Sequence, residues 1–359
     1  MLKNYFKIAW RNLRKSKLYS AINIIGLATG MGVAMLIGLW IYDELSYDKA
    51  GRDNYDRIGR VEQFVDFGGG WVNYDAIPIP LGKDMREHYP DFQYVSLATN
   101  EEDVVLQVGD KQVSKPASFV QPEFPEMMTL RMIKGTRQAL KDMHSILISQ
   151  SLARILFGSE DPMGKMVRMG NKLNVTVGGV YEDFPNNSSF KEAQIFGAWD
   201  LYVADRNQDE TQWDSNSWHL FAQLKPGVTF AQASAKIKMA RERQGNYPSY
   251  KPQFFIHPMK KWHLFAEFKS GINTGGLITF VWLFGIIGVF VLLLACINFM
   301  NLSTARSERR AREVGIRKAI GSERRQLIFQ FLSESLLVVL IAFALSLLLV
   351  QVSLPFFNN

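Results

Sequence analysis

The sequence predicts an α+β membrane protein with three transmembrane helices and a large, two-lobed, mixed α/β extracytoplasmic domain between the first and the second. Three observations carry this expectation. Segments 21–42, 277–302 and 327–350 are nearly free of charge, the last holding only Glu334. At ~1.5 Å per residue, each makes a helix long enough for a hydrocarbon core of ~30 Å. The block 43–276 between them is polar and large enough for one or two globular lobes. Finally, the net charge of +7 is not spread along the chain but gathered beside the apolar segments.

That distribution sets topology. Residues 1–42 hold six cations and no acid. Residues 306–325 hold eight cations against Glu308, Glu313 and Glu323, whereas 43–276 carries 27 Lys or Arg and 30 Asp or Glu. Short basic loops stay cytoplasmic, so the 43–276 block faces outward. A basic excess confined to membrane flanks serves orientation and anionic-lipid contact, and it argues against nucleic acid as a partner. Cys296, the only cysteine, lies inside the second span and reads as a small packing residue.

In chain order, residues 1–20 form a basic amphipathic helix on the membrane surface. Leu2, Tyr5, Phe6, Ala9, Trp10 and Leu13 make its apolar stripe, with lysines and arginines around it, a pattern that seats on anionic lipid. A signal peptide fits poorly, because the apolar run is long and no small-residue cleavage site follows. The first span, 21–42, carries Gly26 and Gly30 four residues apart, a spacing that lets another helix approach closely. Within 43–276, alternating patterns predict strands at 60–67, 104–108, 145–148, 173–180, 219–224 and 254–257. Helices are expected at 47–58, 81–88, 150–157 and 230–241, the last capped by Thr229. The order suggests one lobe built from both ends of the block and a second inserted at about 116–215. The second span, 277–302, leads into a cytoplasmic loop, 303–326, and the third span, 327–350, leads to an outward end, 351–359. In the loop, Glu313, Ile316 and Ile320 share one helical face, Gly321 can cap the C-terminus, and Ser322 can cap the next helix. Glu334, about two turns into the third span, is costly in lipid and so turns to a neighbouring helix, or pairs near the cytoplasmic end with Arg324 or Arg325.

No catalytic, cofactor or metal site emerges. Residues 158–165 resemble a phosphate loop only loosely: the spacing is wrong, Met166 stands where a Ser or Thr should bind magnesium, and Pro162 interrupts the backbone. The five histidines make no metal-ligand pair at helical or zinc-finger spacing. Without a nucleotide motif, any ATP energy must come from a partner, and the basic loop is the cytoplasmic feature able to bind one.

The stretch 290–321, and in particular Arg312-Glu313-Val314-Gly315-Ile316-Arg317-Lys318-Ala319-Ile320-Gly321, closely resembles the second span and cytoplasmic loop of the FtsX/MacB-type ABC transporter permeases. Three further stretches, 122–135, 146–165 and 177–185, are similar to the family's extracytoplasmic domain, and 6–15 to its N-terminal surface helix. The resemblance implies a non-catalytic permease subunit of the cell inner membrane, working as a homodimer or as a pseudo-dimer with a second permease half. An ABC ATPase subunit would grip the ten coupling residues, and nucleotide-driven closure would move the extracytoplasmic domain. Such mechanotransmission serves export or extraction of antimicrobial, peptide or lipoprotein-type substrates in the family. Family units have four spans where three are legible here, so the chain is expected to be an N-terminal part of a longer permease. The other classes weighed are a membrane-tethered sensor, for which no cytoplasmic output domain is visible, and a membrane-anchored enzyme, for which no catalytic groups converge.

Overall fold

The computed structural model describes residues 10–11, 13–14, 17–49, 54–170, 172–245, 247–309, 315–316, 319 and 324–357. The chain divides into two compact units, Glu44–Ile278 and Met1–Asp43 with Thr279–Asn359. A long helix, α1 (Lys17–Leu45), opens the described chain.

The outer unit runs through β1 (Ile58–Asp66), β2 (Trp71–Tyr74), α2 (Pro80–His88), β3 (Phe92–Ala98), β4 (Glu102–Val108), β5 (Lys111–Val120) and α3 (Phe124–Met127). It continues with β6 (Met132–Gly135), β7 (Ser145–Ser149), α4 (Gln150–Phe157), β8 (Met166–Met169), β9 (Leu173–Tyr181), β10 (Ile195–Ala198) and α5 (Trp199–Arg206). It closes with β11 (His219–Leu224), α6 (Phe230–Ile237), β12 (Gln253–Pro258), α7 (Met259–Trp262) and the hairpin β13 (Glu267–Lys269) and β14 (Ile272–Gly275).

Two subassemblies follow from the pairing. Strands β3, β11, β1 and β12 lie side by side in that order, every neighbouring pair antiparallel. With α2 after β1 and α6 after β11, this is a βαββαβ, ferredoxin-like arrangement. The helices cover the sheet because their apolar residues recur at helical spacing, burying Leu81 and Met85 from α2 with Ala233 and Ile237 from α6 against Val61, Leu97 and Leu220. Where a simple sheet of this kind would have a hairpin between β3 and β11, the chain instead makes a second body. There β4, β5, β10, β7, β9 and β8 pair successively and close into a ring of six strands. Leu106, Phe119, Ile146, Ile148, Val167 and Val175 belong to its core, with Leu152 and Leu156 of α4. By strand pairing the excursion begins after Ala98 rather than at 116, since β5 spans that position and pairs along its length with β4.

A third core joins the two bodies. Phe124, Phe196, Phe221 and Trp262 pack with Ile58, Val120 and Met259. Rings of Phe124 and Phe196 lie 5.3 Å apart, and those of Phe221 and Trp262 5.7 Å, the tilted geometry aromatic pairs prefer.

Thr229 caps α6 as expected, in a reciprocal capping box with Gln232. The helix expected at 47–58 is not formed in the described residues there: residues 46–49 turn, and one 3₁₀ turn occupies Tyr55–Arg57. Asp48 takes a left-handed backbone, φ 61°, and its side chain is committed elsewhere.

The membrane unit consists of α1 with α8 (Ile278–Arg309) and α9 (Arg324–Phe357). Lys17–Leu45, Ile278–Ala305 and Ile328–Phe356 are each long and apolar enough to cross a bilayer. Their apolar windows are only 22%, 17% and 22% buried, so most of their surface is left for lipid or further helices. Leu27, Ala28, Ala295 and Ala342 form the shared core. A Cβ on Gly30 would lie 2.4 Å from Ala295 Cβ, so α1 and α8 approach where only glycine fits. Cys296, read from sequence as a packing residue, is instead exposed, because its neighbour Ala295 takes the position facing α1.

Candidate functional site

Of the ten expected coupling residues, Arg312, Glu313, Val314, Arg317, Lys318, Ile320 and Gly321 lie outside the described residues. Gly315, Ile316 and Ala319 are described; all three are helical and exposed. Ile316 leaves 54% of its surface uncovered, although it is branched and wholly apolar. A single exposed apolar side chain is ordinary on a protein surface, so the exposure of Ile316 marks a position open to contact and no more. Of the N-terminal surface helix expected at 1–20, residues 10–11, 13–14 and 17–20 are described and helical; Leu2, Tyr5, Phe6 and Ala9 of its stripe lie outside the described residues.

Gly26 and Gly30 both face α8. A Cβ at position 26 would lie 3.3 Å from Asn298 Nδ2, and one at position 30 would lie 2.4 Å from Ala295 Cβ. Glu334 is turned inward and 8% exposed. It borders a small cavity of about 40 Å³ with Ser20, Asn23, Ser303 and Ser335, and Gln330 Nε2 donates to its carboxylate at 3.5 Å. In a bilayer, turning a carboxylate toward hydroxyls and an amide avoids leaving it in hydrocarbon.

Sequence reasoning missed a polar clasp in the outer unit, immediately after α1. Asp48, 1% exposed, accepts the backbone N–H of Ser189 at 2.7 Å and the Ser188 hydroxyl at 3.1 Å, and also the Ser189 hydroxyl. Its own N–H donates to the Asn187 carbonyl at 2.8 Å. Tyr47 stacks on the His263 ring, with centroids 3.6 Å apart and planes 5° from parallel, and donates its hydroxyl to the Ser188 carbonyl. Glu44, in the last turn of α1, pairs with His263 Nε2. Three distant stretches, 44–48, 187–189 and 263, thereby meet at one point. The run Asn186-Asn187-Ser188-Ser189 reads locally as a turn, and nothing in its pattern names a partner some 141 residues away.

Two perturbed histidines belong to this unit. Burial, with the Arg60 guanidinium nearby, holds His219 below its usual value. Burial also lowers His257, whose Nε2 has no hydrogen-bond partner among the described residues. Neither has a nucleophile or metal ligand set around it, and among the described residues no three His, Cys, Asp or Glu side chains gather as a metal site.

Comparison with known proteins agrees with this architecture. Residues 20–240 match the model of the MacB-like periplasmic core domain, and residues 285–359 that of the FtsX-like permease C-terminal region. The chain is 23% identical over 358 residues to the macrolide export ATP-binding/permease protein MacB of Burkholderia thailandensis, covering 96% of this chain and 51% of the relative. It is 22% identical over 380 residues to a MacB of Yersinia pestis, covering 97% of this chain and 53% of that one. The chain thus spans about half the length of the curated relatives it matches. Among solved structures, a domain of a permease protein from Porphyromonas gingivalis shares the outer unit's fold at a TM-score of 0.50 and 22% identity, over 58% of this chain and 91% of that one. A multi-pass inner-membrane permease with a periplasmic domain is what these spans and this fold define. The chain belongs to the MacB/FtsX-like family of ABC transporter permeases.

Proposed function

We propose that this chain is a non-catalytic permease subunit that converts ATP hydrolysis by a partner ABC ATPase into motion of its periplasmic unit. The observation that supports this reading is the exposed, helical Ile316 in the basic stretch between two spans. The MacB relatives are named for ATP-binding and permease functions in one protein, and this sequence contains no phosphate loop of its own. The coupling surface comprises Arg312 to Gly321, with Ile316 as the apolar anchor and Arg317 and Lys318 as its charged flanks.

The uncovered faces of α1, α8 and α9 support assembly with a second copy or with a second permease half. The basic stripe at 1–20 would rest on anionic lipid. Export or extraction of antimicrobial, peptide or lipoprotein-type substrates is the family-level extension of the reading. The Asp48 clasp provides a route for force, since it fixes the residues just after α1 to the stretch preceding β10.

Affinity purification from native membranes in mild detergent tests this directly. A nucleotide-binding subunit should accompany the wild type and be lost with Ile316→Asp. If no ATPase accompanies either form, the alternative of a membrane-tethered periplasmic sensor takes its place.

A further inference from the structure

The seam between the four-stranded sheet and the strand ring contains a cavity of about 290 Å³. Its apolar wall is aromatic: Phe124, Phe190, Phe196, Phe221 and Trp262 all border it. The rings are fixed by one another, with Phe190 5.8 Å from Phe124 and 5.9 Å from Phe221. The polar wall is equally set, since Ser118 donates to the Thr99 carbonyl at 2.9 Å and Thr99 Oγ1 accepts from the Phe119 N–H. A preformed hollow at the junction of two bodies, apolar with a few placed polar groups, has the form of a small-molecule site.

Charge decides which small molecule. Arg60 borders the cavity, but its guanidinium is already matched, by Glu62 at 2.8 Å and by Asp75 at 3.5 Å. It also lies over the Trp262 ring, 5.8 Å from the centroid. His219 is held neutral by burial and by Arg60, so it adds no positive charge near neutral pH. Glu101, by contrast, has no hydrogen bond or ion pair among the described residues. Glu101 stands exposed at the cavity's edge, where partial desolvation and then the neighbouring Glu192 disfavour its charged form. An unmatched carboxylate lining the same cavity as five aromatic rings is complementary to an organic cation: the rings accept its apolar body, and the carboxylate accepts its N–H groups.

We propose that this cavity binds a small organic ammonium ion with a flat or alkyl body, the ammonium on Glu101 and the body among Phe124, Phe190, Phe196, Phe221 and Trp262. The inference is independent of the ATPase reading, because it concerns the outer unit alone. Ser189 stands in the cavity wall and in the Asp48 clasp, so an occupant touches the same turn that the clasp holds.

Three probes sharing one body test it by calorimetry on the full chain in detergent: 2-phenylethylammonium, 2-phenylethanol and 3-phenylpropionate. The cation should bind saturably at one site, the alcohol about tenfold more weakly or less well still, and the carboxylate not at all. Glu101→Gln should weaken the cation about tenfold and leave the alcohol unchanged, while its melting temperature confirms folding. Phe190→Ala should weaken cation and alcohol alike. Tighter binding of the carboxylate, an unchanged cation affinity in Glu101→Gln, or no saturable binding of any probe overturns the proposal.

Discussion

The carboxylate of Asp48 meets the backbone N–H of Ser189 at 2.7 Å across 141 residues of sequence, and Asp48 is left-handed in order to do so. Asp, Asn and Gly tolerate that backbone far better than other residues. Asp48→Ala should therefore lose both the three accepted hydrogen bonds and the backbone fit. The expected cost is about 3 kcal/mol, with Asp48→Asn costing about 1 kcal/mol. Denaturant unfolding followed by Trp fluorescence measures both; equal costs for the two variants would contradict the backbone part, and an unaffected Asp48→Asn the charge-assisted part.

Gly30 and Ala295 form a second tight pair. Gly30→Ala should destabilise the membrane unit by about 1–3 kcal/mol, because its Cβ would fall 2.4 Å from Ala295 Cβ. Ala295→Gly in the same chain should recover much of the loss. A thermal melt of the four detergent-solubilised forms gives the coupling energy, and strict additivity would show that the pair is not in contact.

Acid should weaken the outer unit through His219 and His257. Both have folded values below the usual 6.5, chiefly from burial. Between the lowered value and 6.5 the unfolded chain binds more protons, so stability falls as pH drops through and below about 6.5. Glu101, raised from 4.5, works in the opposite sense: from 4.5 upward the folded form binds the extra proton. Melting temperatures from pH 8 to pH 5 should decline, and His257→Gln should flatten the decline. A pH-independent wild type would rule this out.

Arg317→Glu should uncouple the partner ATPase while leaving the chain in the membrane. Reversing a charge at the rim of an interface lowers association, by about tenfold for a single well-placed pair. Co-purified ATPase activity and membrane fractionation give the two readings. Full activity in Arg317→Glu together with Ile316→Asp would remove the loop from the interface.

The membrane architecture was legible because a bilayer imposes a length and a polarity that local sequence cannot disguise. The spans expected at 21–42, 277–302 and 327–350 correspond to Lys17–Leu45, Ile278–Ala305 and Ile328–Phe356, each running a few residues past the expected C-terminal end. Strands 219–224 and 145–149 were readable because they are apolar runs bounded by turns. Strand β5 was not: Lys111, Lys115 and Pro116 give its first half the composition of a loop, and only pairing with β4 makes it a strand. The clasp was hidden for a related reason. Asp48 looks like one more polar residue after a span, and its value comes from a turn that the fold brings to it. The aromatic seam likewise gathers Phe124, Phe190, Phe221 and Trp262 from four separate stretches, no two of them adjacent in any local pattern.

The strand ring inserted between β3 and β11 also dictates an order of events during synthesis. Ile58 of β1 pairs with Gln223 of β11, so the four-stranded sheet stays incomplete until that later strand has been made. The ring's last strand ends at Ala198, and its core is completed by Leu201 just beyond, well before β11. At roughly 5–20 residues per second, β1 waits on the order of 10–30 s for its neighbour. The inserted ring is thus complete before the sheet it interrupts, and β1 and β3 await β11.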